Sequence, residues 1–571
     1  MAGICIDSPR GGIAEPFNYV FVQPFFSRIF SLGRLGVHYR YRVTVLSFVI
    51  CLAASAACAI EVSIPDVPAY NWYHGCGPTA GAMVFGYWDR HGFANLFDAA
   101  GSDLDLTSAV QDRISSPEHN AKYDPSPDRA DLPDPPLTSL ATFMNTSVDP
   151  RSYGGSYTTE IATGMRGYAA SRAYAFEAQR QTMNYGLTWE GYTAEVDAGR
   201  PVLLYVDTNG SGSVNHAVAG IGYEDRGGDD FWYACYTTYS ENESLAWKRF
   251  RPTGNAWGVG SATFVTPPDG YWRGGEGDWF DPAGWTNEAA PNPSPAVIDA
   301  GRVTLSSGTA EPSELTVGRW GEATLALEGG TLVIGEALRF GPLGRCDGAG
   351  GEIELRAADL LIDNPAPEAL PGLAGSRLTA AGGTDESSTL EAAAVDMGAV
   401  AEGFAAGGSW GALEVGGASA GRLRLTDAVD QAADGQPDAV YAETVTLGEG
   451  SILEIDVTLY CRTFENLGGE VIEDGGRWIQ VVDRGDFNGD GVANGLDIPM
   501  FKQALADSAA WESATRRSAV AAGDFNADAA FNGLDIPGFK SHLAQASTVP
   551  EPSVTMVLAA GVSGLMLRRR R

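Results

Sequence analysis

Two stretches near the C-terminal end repeat one another in register. The first reads Asp486-Phe-Asn488-Gly-Asp490-Gly491-Val492-Ala-Asn494-Gly-Leu-Asp497, the second Asp524-Phe-Asn526-Ala-Asp528-Ala529-Ala530-Phe-Asn532-Gly-Leu-Asp535. Oxygen-bearing side chains at positions 1, 3, 5, 9 and 12, with a main-chain carbonyl at 7, supply the hard oxygens that calcium takes. Each stretch runs into Ile-Pro-x-x-Phe-Lys-x-x-Leu, which places Ile498, Phe501 and Leu505, then Ile536, Phe539 and Leu543, on one helical face. The pattern predicts two loop–helix units and two calcium ions. One ion is held through Asp486, Asn488, Asp490, Val492, Asn494 and Asp497, the other through Asp524, Asn526, Asp528, Ala530, Asn532 and Asp535. The sharp turn at position 6 wants glycine. Gly491 supplies it and Ala529 does not, so the second site is expected to bind more weakly.

Aspartate at position 12, one helix per loop and the tandem arrangement resemble type I dockerin over 484–546. The resemblance implies a small α-helical calcium-binding domain that meets a cohesin. Cellulosomal dockerins often carry hydroxyl residues before the last aspartate. Here that pair is Gly-Leu in both repeats (495–496 and 533–534), so a cohesin-like and an intramolecular partner both stay open.

A second constellation carries covalent chemistry. Gly75-Cys76-Gly77-Pro78-Thr79 opens an apolar, helix-compatible run to Trp88, and Asn215-His216 heads a strand-like run from Ala217 to Tyr223. A helix N-terminus lowers a thiol's pKa, a nearby imidazole lowers it further, and a nucleophilic cysteine needs both. These contexts resemble the C39-like group of papain-like cysteine peptidases over roughly 66–267, and Glu195–Val206 is similar to that group's strand before the histidine. The resemblance implies an α+β papain-like domain (60–267) acting on peptide or protein substrates, with Cys76 as nucleophile and His216 as its base. The family places an amide donor for the oxyanion five or six residues before the cysteine, where Asn71 is the candidate. It expects Asp or Asn after the histidine to orient the imidazole. That slot falls near Thr237, which carries no charge, while Asp225, Glu241 and Asn242 lie close in sequence without a motif that selects among them. A threonine there supports a second reading: a non-catalytic cell-surface adhesion or scaffold protein with an inactive papain-like domain. His74, His91 and His119 share no metal-ligand spacing and read as surface or core residues.

Residues 268–480 are rich in Gly and Ala, with short alternating runs such as Arg302–Leu305, Thr331–Ile334 and Arg422–Leu425 between glycine or acidic turns. They predict an all-β region, a solenoid or a sandwich. Tyr271-Trp272 through Trp285 resembles the opening of repeats in exported, autotransporter-like β proteins, and its tryptophans read as strand-edge core rather than sugar platforms.

At 571 residues the chain exceeds one compact core, so the fold class is multidomain. A net charge of −34 argues against nucleic-acid partners. Of the seven cysteines, Cys76, Cys235, Cys346 and Cys461 lie beyond the leader and form no CxxC pair, although Cys346 and Cys461 share one region and could bridge. Residues 1–59 read as a signal region. Arg40 and Arg42 precede an apolar core and small residues through Ala59, and 1–40 form an extended basic region or follow from a start codon placed too early. At the other end, Val549-Pro-Glu-Pro-Ser553 is followed by Val554–Leu567 and Arg568–Arg571. The apolar stretch spans about 21 Å as a helix, short of the ~30 Å hydrocarbon core. Residues 549–571 resemble the PEP-CTERM sorting signal, which implies an exosortase partner. The expected location is outside the cytoplasm, at the cell envelope or extracellular.

Overall fold

In the computed structural model, the described residues are 60–97, 107–124, 128–183, 185–239, 245–348, 350–366, 369–405, 407–429 and 437–546. The two expected targeting segments, 1–59 and 549–571, lie outside them. The chain divides into two compact units, with the boundary between Pro268 and Asp269 and with Arg90–Asn95 grouped with the second.

The first unit is α+β. Its sheet contains β1 (Ile60–Ser63), β2 (Glu177–Thr182), β3 (Val202–Asp207), β4 (His216–Asp225), β5 (Phe231–Tyr236), β6 (Ala246–Arg249) and β7 (Gly258–Thr266). The strand order is β2-β7-β3-β4-β5-β6, with β1 added antiparallel on β4. β3, Val-Leu-Leu-Tyr-Val-Asp, is buried at every position, as is β4 from His216 to Tyr223, so the central strands read as near-continuous apolar runs. Helices are α1 (Cys76–Arg90), α2 (Ser108–Ile114), α3 (Pro117–Tyr123), α4 (Leu140–Phe143), α5 (Thr158–Ser171) and α6 (Trp189–Asp197). Every residue of α1 from Cys76 to Asp89 is buried, which makes it a core helix rather than an amphipathic surface one. Phe85 of α1 stacks on Tyr168 of α5 at 5.8 Å. The hydroxyl of Tyr192 ties α6 to β4 by donating to the Gly222 carbonyl (2.7 Å).

In the second unit the alternating runs form a solenoid, which resolves the choice left open by the sequence. The pairing that stacks its coils is parallel: Leu305 sits beside Leu327, Thr309 beside Thr331, and Val317 beside Phe340, each one coil further along. A sandwich would demand antiparallel neighbours. Three sheets stack in this way, with one antiparallel addition, Ala394–Val395 on Asp438–Leu447. Inward positions repeat the same chemistry (Val303, Leu325 and Cys346; Leu315, Leu338 and Leu360), filling one continuous core. Trp272, Trp279 and Trp285 are buried in it, as expected from the sequence, with Trp285 Nε1 donating to the Trp279 carbonyl (2.8 Å). Cys346 and Cys461 are both free.

After the last solenoid strand, Trp478–Gln480, come α7 (Ile498–Ala506), α8 (Ser508–Thr515), α9 (Ala519–Gly523) and α10 (Ile536–Ala546). The expected helix faces meet: Phe501 and Phe539 stack at 4.1 Å, with Phe487 against both. One expectation is corrected. Ile498, the first residue of α7, stays exposed, and Trp511 of α8 completes the core instead.

Candidate active site and calcium loops

Cys76 is the first residue of α1, so the helix dipole acts on its sulfur. The turn before it is tightly specified. Gly75 has φ +156°, and a Cβ there would come within 2.8 Å of Thr146 Cγ2 and 2.9 Å of Pro78 Cγ. His74 takes the left-handed φ of 52°. Thr79 fastens this turn from inside the helix: its hydroxyl donates to the Gly75 carbonyl (2.7 Å) and accepts from the Tyr73 amide (3.0 Å). The sequence carries that residue as a threonine three positions after the cysteine, in the first turn of the helix, with no spacing that marks its role.

His216 begins β4, opposite Val206 of β3. The loop between these strands is held by Asp207, a fully buried carboxylate. It accepts the amides of Ser211 (2.9 Å), Gly212 (2.6 Å) and Gly254 (3.0 Å). Burial by itself would raise this carboxyl's pKa. The amide hydrogen bonds win and hold it below its ordinary value. Asn215 closes the loop by accepting from the Thr208 amide and hydroxyl, both at 3.0 Å.

The two residues meet. Burial alone would lower the imidazole's pKa, but the neighbouring Cys76 sulfur and the Thr237 carbonyl together raise it above its ordinary value. Nε2 donates to the main-chain carbonyl of Thr237 at 2.8 Å, with the Thr238 hydroxyl at 3.4 Å. Nδ1 is buried and makes no hydrogen bond, which leaves it as the nitrogen for the thiol. The slot that sequence assigned to Thr237 is therefore occupied by its backbone. A carbonyl fixes the imidazole's tautomer and direction as a carboxamide would, without adding charge. Asp225 is at the far end of β4, accepting the Gly227 amide, while Glu241 and Asn242 lie outside the described residues.

Asn71 is half-buried on the extended segment before Cys76. The adjoining Trp72 amide donates to the Thr238 carbonyl (2.6 Å), so this segment runs beside the residues that hold His216. Two aromatic rings without a sequence signal frame the imidazole. Tyr239 stacks on it at 4.6 Å and 7°, and Trp257 meets it edge-on at 6.4 Å. Cys76 is 0% exposed and His216 1%, whereas Tyr239 is 53% exposed. Tyr239 is thus the surface part of the wall over the pair. His119 is a core residue, with Nε2 on the Thr146 carbonyl and Nδ1 on the Thr142 hydroxyl, and its pKa is lowered to about 4 by burial. His74 pairs with Asp124 on the surface side of the turn.

The two loops are near copies. Asp486 accepts the amides of Gly489 (2.7 Å) and Gly491 (2.9 Å), and Asp497 those of Asn488 and Asn494 (both 2.8 Å). Asp524 accepts the Ala529 amide, and Asp535 those of Asn526 and Asn532. Among the described residues, no group of three His, Cys, Asp or Glu side chains converges on a metal position; the carboxylates engage loop amides instead. The donor set nevertheless fits calcium. Asp497 and Asp535 are fully buried, and Asp486 nearly so, beside further acidic or amide oxygens. Short oxygen ligands on a loop suit a hard cation.

Residues 64–253 match the model of the Peptidase_C39 like family, and residues 484–544 match the dockerin type I domain. The chain thus carries a C39-like cysteine peptidase domain and a dockerin domain of a type that binds calcium. No curated protein matches. Among solved structures, the active wild-type interpain A cysteine protease of Prevotella intermedia is similar at 14% identity. The match covers 36% of this chain and 94% of that chain, with a TM-score of 0.23.

Proposed function

We propose that the chain is an exported peptidase that cleaves peptide bonds through a Cys76–His216 pair. The observation that carries this reading is the meeting of a helix-opening thiol with an imidazole whose other nitrogen is already committed to a carbonyl. The Cys76 thiolate attacks the scissile carbonyl carbon, and the oxyanion forms beside the Cys76 amide at the helix N-terminus, with the Asn71 amide as second donor. His216 gives its Nδ1 proton to the leaving amine. It then takes a proton from the water that hydrolyses the thioester, restoring the pair.

The dockerin domain binds two calcium ions in this reading, through the twelve positions named above, and meets either a cohesin-like or an intramolecular partner. Residues 1–59 direct export, and 549–571 are a PEP-CTERM signal read by an exosortase at the envelope. The second reading, adhesion or scaffolding without catalysis, is favoured by the complete enclosure of Cys76 and by the fact that, among the described residues, the groups at His216 Nε2 are the uncharged Thr237 carbonyl and Thr238 hydroxyl.

A thiol-directed peptidase probe separates the two. Cys235, Cys346 and Cys461 are each pushed up to about 12 by burial and are inert at neutral pH. Folded protein is therefore expected to label at Cys76 alone, with labelling lost in Cys76→Ala and reduced at least ~100-fold in His216→Ala. Labelling that appears only after denaturation would sink the peptidase reading.

A further inference from the structure

We infer that the dockerin domain caps the C-terminal end of the solenoid through Arg516 and Arg517, and that calcium in its first loop tightens this joint. A solenoid's last coil exposes unpaired strand groups and needs a cover. Here the last strand, Trp478–Gln480, pairs on one side with Leu459–Cys461. Beyond α8 the chain returns to it. The Gln480 amide donates to the Arg516 carbonyl at 2.6 Å, and Gln480 forms a parallel bridge with Arg517. The Arg516 guanidinium reaches Glu473 in the last coil (2.7 Å) and lies over Trp478.

Arg517 is turned the other way. Its Nε donates to Gln480 Oε1 (3.1 Å) and its Nη1 to the Phe487 carbonyl (3.3 Å). Phe487 is the second residue of the first calcium loop and the centre of the aromatic core of the domain. The guanidinium also covers Gly489, where a Cβ would overlap it. The second loop carries Ala527 at the equivalent position, so the two repeats differ at the point where Arg517 sits. The connection leaves little slack: Val481 is buried in the cluster with Tyr441 and Tyr460, and its neighbour Val482 in the domain core. Phe487 and Gly489 alternate with the expected ligands Asp486, Asn488 and Asp490. An ion that fixes those three residues also fixes the surface offered to Arg517, and the linkage is reciprocal. Leu496 and Leu534 remain 69% exposed, so the cap does not use the turn that a separate partner would meet.

The inference rests on the calcium reading of the first loop, and the test separates the two. Amide hydrogen exchange is followed in the full chain with calcium or with a chelator, alongside calorimetric calcium titration. In the wild type, chelation is expected to speed exchange of 459–461 and 478–480 about tenfold. Arg517→Ala should exchange fast with or without calcium while still giving calcium heat. Gly489→Ala installs the alanine that the second loop tolerates, and should also bind calcium but lose the coupling. Calcium heat with unchanged exchange in the wild type, or full coupling in both variants, overturns the cap. No calcium heat overturns the calcium reading and the inference with it.

Discussion

At the residue scale, the imidazole of His216 is oriented by a group that supplies no full charge. A neutral carbonyl orients it, so the face of Tyr239 at 4.6 Å is an additional stabiliser of the imidazolium. His216 has a folded pKa above its ordinary value, so it keeps its proton up to that raised pKa and loses it above. Hydrolysis should therefore decline on the alkaline side as the imidazolium is titrated. Removing the ring by Tyr239→Ala removes about 1 kcal/mol of support and should move that limb down by roughly half to one pH unit, while Tyr239→Phe leaves it in place. The pH dependence of turnover measures this, and an unmoved limb in Tyr239→Ala would reduce the ring to a cover. Cys76 and His216 were legible because each sits in a local context with a chemical purpose. Tyr239, Trp257 and the Thr237 carbonyl were not, because stacking and main-chain acceptance arise from how strands are brought together and leave no spacing in the sequence.

At the scale of elements, the calcium loops show what one methyl group does to a turn. Gly491 has φ +84° and Ala529 φ +62°, so both repeats adopt the same left-handed turn. A Cβ at Gly491 would meet no atom within 4 Å. The penalty of alanine is then backbone strain alone, about 1 kcal/mol, and the closed loop bears it. Ala529→Gly should tighten calcium binding at the second site about fivefold, and Gly491→Ala should weaken the first by the same factor. Titration calorimetry on the full chain reads both, and equal affinities before and after would remove strain as the reason for asymmetry. The repeat and most of its helix face were readable because both are local: Phe501 and Phe539 meet as expected, although Ile498 stays exposed. In the solenoid, by contrast, alternation fixed the strands but left their partners open. Leu305 meets Leu327 because similar coils stack, and a pattern that repeats so evenly fits a sandwich face equally well until the pairing is seen.

At the scale of the whole molecule, the proposed export and sorting segments, 1–59 and 549–571, both lie outside the described residues. Among the described residues no helix is long and apolar enough to cross a membrane. The only apolar stretch after the dockerin domain is Val554–Leu567, bounded by Pro-Glu-Pro and by Arg568–Arg571. As a helix that stretch would span about 21 Å, and in a hydrocarbon layer of ~30 Å it would have to thin the bilayer or pull its arginines inward, each at a cost of fractions of a kcal/mol per Å. Under the proposed PEP-CTERM reading, that mismatch suits a segment held only until it is cut. Protein recovered from the envelope of its native host is therefore expected to end near Pro552, and Pro550→Ala or removal of the four arginines should leave a longer, membrane-retained form. Intact-mass measurement distinguishes them. A mature chain that continues to Arg571 would make the segment an ordinary anchor, and would leave the peptidase domain at the membrane rather than released or transferred from it.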